Sequence, residues 1–169
     1  MGDRSMAPLA EDARLHYALG ALISASVALL SLFVPFENLL SEYVVTRSFY
    51  WYPAWRVAVS TLLLWLASVA LSTVESRISK PLLASSCAIF VIAHYSLLYA
   101  ISGYSSERLG ISCRVELLPL CYRTTCTFAK GFSANTYYLD LGQVLTLATL
   151  ASFVQPGELF KKLASLLKK

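Results

Sequence analysis

Three of the chain's four cysteines lie within one short stretch, and they are the first residues that could do chemistry: Cys113, Cys121 and Cys126. Thiols on the extracytoplasmic side of a membrane meet oxidising conditions and pair as disulfides. Three thiols predict one disulfide and one leftover sulfur, which is buried or available for an intermolecular bond. Pro119 and the short intervening segments favour Cys113 as one partner, with Cys121 or Cys126 as the other.

A metal or haem site is not predicted from the cysteines and histidines. The closest cysteine pair has C-x₄-C spacing, and no histidine lies between Cys113 and Cys126, so a disulfide is favoured over structural zinc. His16 and His94 would lie at different depths of a helical bundle, which excludes a shared haem iron. We therefore predict no cofactor, and Cys87 is interpreted as a small apolar core residue.

A second polar set consists of Arg56, His94, Asp140 and Gln143, which are expected in the outer half of the bundle. Ionisable groups near apolar surroundings are expensive and are normally paired. Arg56 and Asp140 are predicted to be partners that close the outer end. A salt bridge with a hydrogen-bonded His94 is favoured over a transport or proton site, and no catalytic set is predicted.

The composition indicates which elements must position these residues. Hydrophobic residues make up 57% of the 169 positions and charged residues only 14%, whereas a soluble domain has about half and about a quarter. The mean hydropathy is +0.60. Such a chain cannot cover its surface with polar groups, so an integral membrane protein of one domain, residues 1–169, is predicted.

Four apolar runs predict an all-α, four-helix membrane bundle, with spans at about 15–36, 57–74, 81–103 and 138–154. Pro81 fits the first position of the third helix. The last apolar run, 141–154, would be about 21 Å long as a helix and too short to cross alone. To span, it must recruit Tyr137, Tyr138 and Leu139, which draws Asp140 to the membrane boundary.

Two outer loops, 37–56 and 104–136, and a C-terminal tail complete the organisation, and the second loop is predicted to be a disulfide-stapled cap. Trp51 and Trp55 are typical of an interfacial aromatic belt, which is favoured over an aromatic ligand site. Residues 158–169 predict an amphipathic helix on an anionic lipid surface. Its lipid-facing charges are Lys161, Lys162, Lys168 and Lys169.

Charge distribution predicts the orientation. The N-terminal tail, the 75–80 turn and the C-terminal tail together hold eight Lys or Arg, and the other two loops hold six. Basic residues near span ends are retained in the cytoplasm, so both termini are expected inside a plasma or cytoplasmic membrane and the three clustered cysteines outside. The net charge of +4 points to anionic lipid rather than nucleic acid.

The predicted topology resembles two families. It is similar to that of the four-span disulfide-forming enzymes of the bacterial inner membrane and their vitamin K epoxide reductase relatives, but this chain has no CxxC pair and no cysteine in its first loop. Trp51, Trp55 and Arg56 resemble the aromatic first loop and following basic residue of claudin-like proteins, whose cysteine pair lies in that loop. Neither resemblance assigns a functional residue here.

The function expected from these patterns is that of an accessory, scaffold or adhesion-type subunit. It would act through contacts with membrane lipids, other membrane proteins or a second copy of itself. One alternative is a small transporter or channel that uses His94 and Asp140. A second alternative is a membrane thiol–disulfide oxidoreductase that uses the outer cysteines.

Overall fold

The structure is a computed structural model that describes residues 7–33, 51–72, 76–103, 105–106, 110–128 and 131–153. Two of the predicted regions lie outside these residues. They are the first part of outer loop 37–56, up to residue 50, and the tail 158–169 with Lys161, Lys162, Lys168 and Lys169.

Four helices occur in the described residues: α1 (Ala7–Phe33), α2 (Tyr52–Leu71), α3 (Ser76–Ser102) and α4 (Leu141–Phe153). Within the first three, the segments Asp12–Phe33, Tyr52–Leu71 and Arg77–Ser102 are long and apolar enough to cross a membrane. The prediction of helices long and apolar enough to span a membrane is therefore confirmed for three elements. Helix α3 is central, because it contacts α1, α2 and α4.

Helix α4 has only 13 residues, which is about 20 Å at 1.5 Å per residue and less than the ~30 Å hydrocarbon layer. The predicted fourth span began at Tyr138, but Tyr138 and Leu139 belong to a β-strand. The recruitment of Tyr137 to Leu139 into a helix is therefore wrong, and four spanning helices are not confirmed.

The starts of α2 and α3 also differ from the prediction. Helix α2 begins at Tyr52, with Pro53 in its first turn, so Trp55 and Arg56 are helical rather than part of a loop. Helix α3 begins at Ser76, which places Pro81 inside the helix and not at its first position. The missing N–H of Pro81 removes one intrahelical hydrogen bond. Gly20 of α1 packs there, since a Cβ on Gly20 would lie 2.9 Å from the Pro81 carbonyl carbon.

The region predicted as outer loop 104–136 forms most of an antiparallel sheet. Its strands are β1 (Ser105–Ser106), β2 (Ile111–Leu118), β3 (Cys121–Phe128) and β4 (Ser133–Leu139), in the order β1-β2-β3-β4. The register pairs Cys113 with Cys126 and Cys121 with both Leu118 and Leu139. The strands form because β2 alternates apolar and polar residues, β3 contains three Thr with a Tyr and a Phe, and β4 contains a Thr and two Tyr.

The register gives the sheet two different faces. One face carries alternate residues that are mostly apolar or aromatic: Ile111, Cys113, Val115, Leu117, Tyr122, Cys126 and Tyr138. The opposite face is polar along most of its length: Arg114, Glu116, Arg123, Thr125 and Asn135. Val115 and Leu117 line a hollow with Leu98 and Tyr99 of α3, and the Val115 N–H donates to Ser102 Oγ at 3.2 Å. The apolar face therefore lies against the last turns of α3.

The helical core is small and lies between α2, α3 and α4. It consists of Ala58, Cys87, Phe90, Ala93 and Leu145, with Trp65 packed against it. The burial of Cys87 in this cluster agrees with its predicted role. Trp65 Nε1 donates to Thr149 Oγ1 at 2.8 Å, so a side-chain hydrogen bond joins α2 to α4 beside this core.

Candidate functional site

The candidate site is centred on Asp140, the residue that connects β4 to α4. Its side chain is 0% exposed, and both carboxylate oxygens accept hydrogen bonds. Oδ1 is 3.2 Å from His94 Nε2 and accepts the Gln143 backbone N–H at 3.2 Å. Oδ2 accepts from the Tyr95 hydroxyl at 3.2 Å and from Gln143 Nε2 at 2.9 Å. Because a buried charge is costly unless it is paired, these four groups stabilise the carboxylate.

The local sequence explains why Asp140 occupies this position. Aspartate is favoured at helix N-caps, where its side chain accepts a backbone N–H of the first turn, here that of Gln143. A negative charge there also interacts favourably with the helix dipole. Gln143 is three residues further on, as in a capping box. Its side chain also donates from Nε2 to the Leu118 carbonyl at 2.9 Å, which joins α4 to the β2–β3 turn.

His94 is held between rings of both the bundle and the sheet. It is 7% exposed, stacks on Phe90 with ring centroids 5.5 Å apart, and meets the edge of Tyr122 at 6.3 Å. Gly142 makes room for it, because a Cβ on Gly142 would lie 2.9 Å from His94 Cδ2. The imidazole is thus fixed in orientation by packing as well as by Asp140.

Tyr122 of β3 extends the site into the sheet. Its ring stacks on Tyr138 with centroids 5.2 Å apart. Burial raises the pKa of Tyr122 above its ordinary value, and the neighbouring Tyr138 and Asp140 add to the increase. The neutral phenol is therefore the form that the folded protein favours.

The structure brings together three of the four residues in the predicted polar set, His94, Asp140 and Gln143. Arg56 has other described contacts: its Nη1 donates to the Leu32 carbonyl at the end of α1 at 3.0 Å, and its guanidinium lies 4.8 Å from the centroid of the Tyr52 ring. The described contacts of the Asp140 carboxylate come from α3 and α4. The expected pairing of Arg56 with Asp140 therefore stays a prediction.

Sequence reasoning missed three members of the site, Tyr95, Tyr122 and Gly142. Tyr95 directly follows His94, and Gly142 lies between Asp140 and Gln143. A glycine within the first turn of a helix is a signal of close packing. Tyr122 had no comparable signal, because its approach to His94 depends on where the sheet meets α3.

The disulfide joins Cys113 and Cys126, which face each other across β2 and β3 with Cα atoms 4.1 Å apart. This is one of the two pairings that the sequence favoured. Cys121 is a free thiol. It precedes Cys126 by five residues on one strand, so it lies on the opposite face and roughly 17 Å away along the strand. Cys121 therefore cannot exchange with the disulfide in the same chain.

The polar face of the sheet carries matched cross-strand pairs. Arg123 forms an ion pair with Glu116, its direct partner on β2. Hydrogen bonds with Glu116 and Tyr137 raise the pKa of Arg123 further above its ordinary value. Thr125 Oγ1 donates to Asn135 Oδ1 at 2.8 Å across β3 and β4. Side-chain pairs of this kind stabilise a sheet and orient its surface.

The two tryptophans of the expected interfacial belt lie at the start of α2. Trp51 precedes the helix, and the Trp55 ring stacks on Tyr52 with centroids 5.6 Å apart. Their role at the lipid headgroups stays a prediction. Among the described residues, no group of three or more His, Cys, Asp or Glu could hold a metal ion.

The arrangement around Asp140 is a junction that joins three elements. Every described contact of its carboxylate is made by a side chain or backbone of this chain, and no thiol or serine hydroxyl is among them. Comparison with known proteins adds no functional assignment, since no family model, curated protein or solved structure matches this chain.

Proposed function

We propose that this protein is a small integral membrane protein that acts by contact, as a scaffold or adhesion-type subunit, and presents its sheet outside the membrane. The partner would be another membrane protein or a second copy of the chain. The proposal depends on the three apolar helices as an anchor and on the polar face of the sheet as the binding surface.

Rigidity of the sheet supports this role. The Cys113–Cys126 disulfide braces its two longest strands, and the Glu116–Arg123 and Thr125–Asn135 pairs order its polar face. A surface that is already ordered loses little conformational entropy when it binds. Charged and polar groups in fixed positions favour recognition of a complementary partner.

The observation that carries the proposal is the occupation of the Asp140 carboxylate by four groups of its own chain. A transport or proton site needs an ionisable group that exchanges partners. Here the Asp140 carboxylate joins α3 to α4, and the Asp140 N–H and the Gln143 side chain bind carbonyls of the β2–β3 turn. This favours a structural clamp that holds the sheet to the bundle.

A photo-crosslinking experiment tests the proposed surface in native membranes. A photoreactive phenylalanine analogue at Asn135, on the polar face, is expected to give a crosslinked product of defined mass. The same analogue at Leu147, an exposed residue of α4, is the control for random lipid-phase contacts. Arg114→Glu should abolish the product at Asn135 but not the folding of the chain. Equal labelling at both positions would contradict the proposal.

A transporter is the second candidate, because His94 and Asp140 form a buried ionisable pair and His94 lies within a helix long and apolar enough to span a membrane. Purified protein in liposomes tests it by proton or solute flux. If the scaffold proposal is correct, the unmodified protein and Asp140→Asn should both give only the background flux of empty liposomes. Flux above background that Asp140→Asn abolishes while the variant stays folded would favour the transporter.

The oxidoreductase alternative has less support. Cys121 and the disulfide lie on opposite faces of the sheet, so electrons have no thiol route between them within one chain. A quinone-coupled thiol assay separates the two cases, because the triple substitution of Cys113, Cys121 and Cys126 by Ser should not change the measured rate if the protein is a scaffold.

A further inference from the structure

We propose that the end of the bundle opposite the sheet binds one anionic glycerophospholipid. Its phosphate would lie against Arg77 and Lys80 of α3, and one acyl chain would enter a cavity between α2, α3 and α4. The site is independent of the proposed scaffold role, because none of its residues belongs to the sheet or to the Asp140 junction.

The headgroup part is a hollow of about 370 Å³ between the starts of α1 and α3. Arg77 and Lys80 supply two cations to it, and His16 and Tyr17 line its α1 side. Among the described residues, Asp12 is the carboxylate on its wall. Arg77 begins the apolar segment of α3, so in a membrane that this segment crosses both cations would lie near the lipid headgroups. Basic residues at that level attract anionic lipids.

The acyl-chain part is a second cavity of about 410 Å³. Its walls are mainly apolar and come from the three helices: Trp65 and Val69 of α2, Leu83 of α3 and Ala148 of α4. Lys80 lines this cavity and the headgroup hollow alike. Lys80 is therefore the cation that the two spaces share, which suits a charged headgroup attached to a hydrocarbon chain.

A buried hydroxyl lies next to the cation that the two parts share. Ser79 precedes Lys80 and lines the chain cavity. It is 1% exposed, and its buried Oγ has no hydrogen-bond partner among the described residues. A buried hydroxyl without a partner is unfavourable. An ester carbonyl of the lipid backbone, between phosphate and chain, would accept the hydrogen bond that Ser79 lacks.

The combination favours a phospholipid over a water-soluble anion. A free phosphate ester would use only the cationic hollow and would leave the apolar cavity and Ser79 without a ligand. A zwitterionic lipid would fill the cavity, but its headgroup cation would oppose Arg77 and Lys80. Charge complementarity therefore selects an anionic headgroup.

The test measures binding of phosphatidylglycerol to the full chain in mild detergent by native mass spectrometry, with phosphatidylcholine of the same chain length as the comparison. We expect tighter binding of phosphatidylglycerol to the unmodified protein. The double variant Arg77→Gln/Lys80→Gln should weaken that binding at least tenfold and remove the preference. The matched control Arg14→Gln removes a positive charge from α1 outside the hollow and should leave the preference unchanged.

A second variant tests the chain cavity. Ala148→Phe places a ring in the cavity without changing any charge, and it should weaken phosphatidylglycerol binding as well, whereas glycerol phosphate alone should bind no variant measurably. Ala148→Leu is the milder substitute if the phenylalanine variant does not fold. Equal losses in Arg14→Gln and the double variant, unchanged binding in the Ala148 variants, or glycerol phosphate binding as tightly as the lipid would each overturn the proposal.

Discussion

The side-chain Oε1 of Gln143 accepts the backbone N–H of Leu120 at 2.9 Å, so the first turn of α4 holds the turn between β2 and β3. Leu120 has a φ of 60°, a left-handed conformation that is unfavourable for a leucine. Its carbonyl accepts the Asp140 N–H at 2.9 Å. Both backbone polar groups of the strained residue are therefore fixed by the junction, which stabilises a turn that the local sequence alone disfavours.

Replacement of Gln143 by Leu should destabilise the protein by about 2–3 kcal/mol, because the buried Asp140 carboxylate and two backbone groups of the β2–β3 turn would lose a hydrogen-bond partner. Differential scanning fluorimetry in detergent measures the loss as a lower Tm. Thr146→Val is the control, since the described hydrogen bond of Thr146 is to a backbone carbonyl of its own helix. A Gln143→Leu variant that melts like the unmodified protein would contradict the clamp.

Gly142→Ala should also be destabilising, because the added methyl group would lie 2.9 Å from His94 Cδ2 and 3.1 Å from Asp140 Oδ1. Overpacking of this kind costs about 1–3 kcal/mol. The matched change Gly103→Ala meets its nearest atom at 3.8 Å and should be tolerated. The difference in Tm between the two variants is the measurement, and equal melting would mean that His94 is not packed as described.

Removal of the disulfide by Cys113→Ala/Cys126→Ala should cost about 3 kcal/mol, the value expected for a closed loop of this order of length. The separation in sequence is 13 residues. Dithiothreitol should lower the Tm of the unmodified protein but not that of the double variant. Cys121→Ser is the control and should keep the response to dithiothreitol, because Cys121 is not part of the bond.

The raised pKa of Tyr122 predicts a loss of stability at alkaline pH. The folded state favours the neutral phenol, whereas an unfolded tyrosine ionises near its ordinary pKa of about 10. The contribution is therefore fully present below about pH 10 and is lost as the pH rises through the folded-state pKa. Unfolding midpoints measured between neutral pH and pH 11 should fall less steeply in Tyr122→Phe.

The control for this alkaline effect is Tyr99→Phe, which removes a phenol that is 83% exposed on α3. It should show the same alkaline decline as the unmodified protein. If the unfolding midpoints of the two variants fell equally with pH, the alkaline effect would come from groups other than Tyr122.

Hydropathy predicts three of the four helices well. An uncharged apolar run of about 20 residues is typical of a transmembrane helix and of few other structures. The helix starts at Tyr52 and Ser76 were missed by about five residues, since the flanking residues are polar or aromatic and carry no hydropathy signal. The sheet was missed although Ile111, Cys113, Val115 and Leu117 alternate with polar residues. That period of two is typical of a half-buried strand.

The site could be predicted only in part. His94, Asp140 and Gln143 were singled out by the rarity of polar groups in apolar surroundings, and they do come together. They meet because α4 begins beside His94. His94 lies eight residues before Ser102, the last residue of α3, and thus roughly 12 Å from that end of the helix. Sequence periodicity contains no information on the relative depth of two helices, so the expected pairing of Arg56 with Asp140 stays a prediction.

The shortness of α4 has a consequence for biogenesis. A helix of 13 residues is too short to partition from the translocon into lipid as an independent spanning segment, which needs about 20 apolar residues. Insertion of α4 into the bundle must therefore follow that of α3, because α4 packs on the α3 surface around Phe90 and His94. Docking of α4 is then a tertiary event rather than a partition of a single helix into lipid.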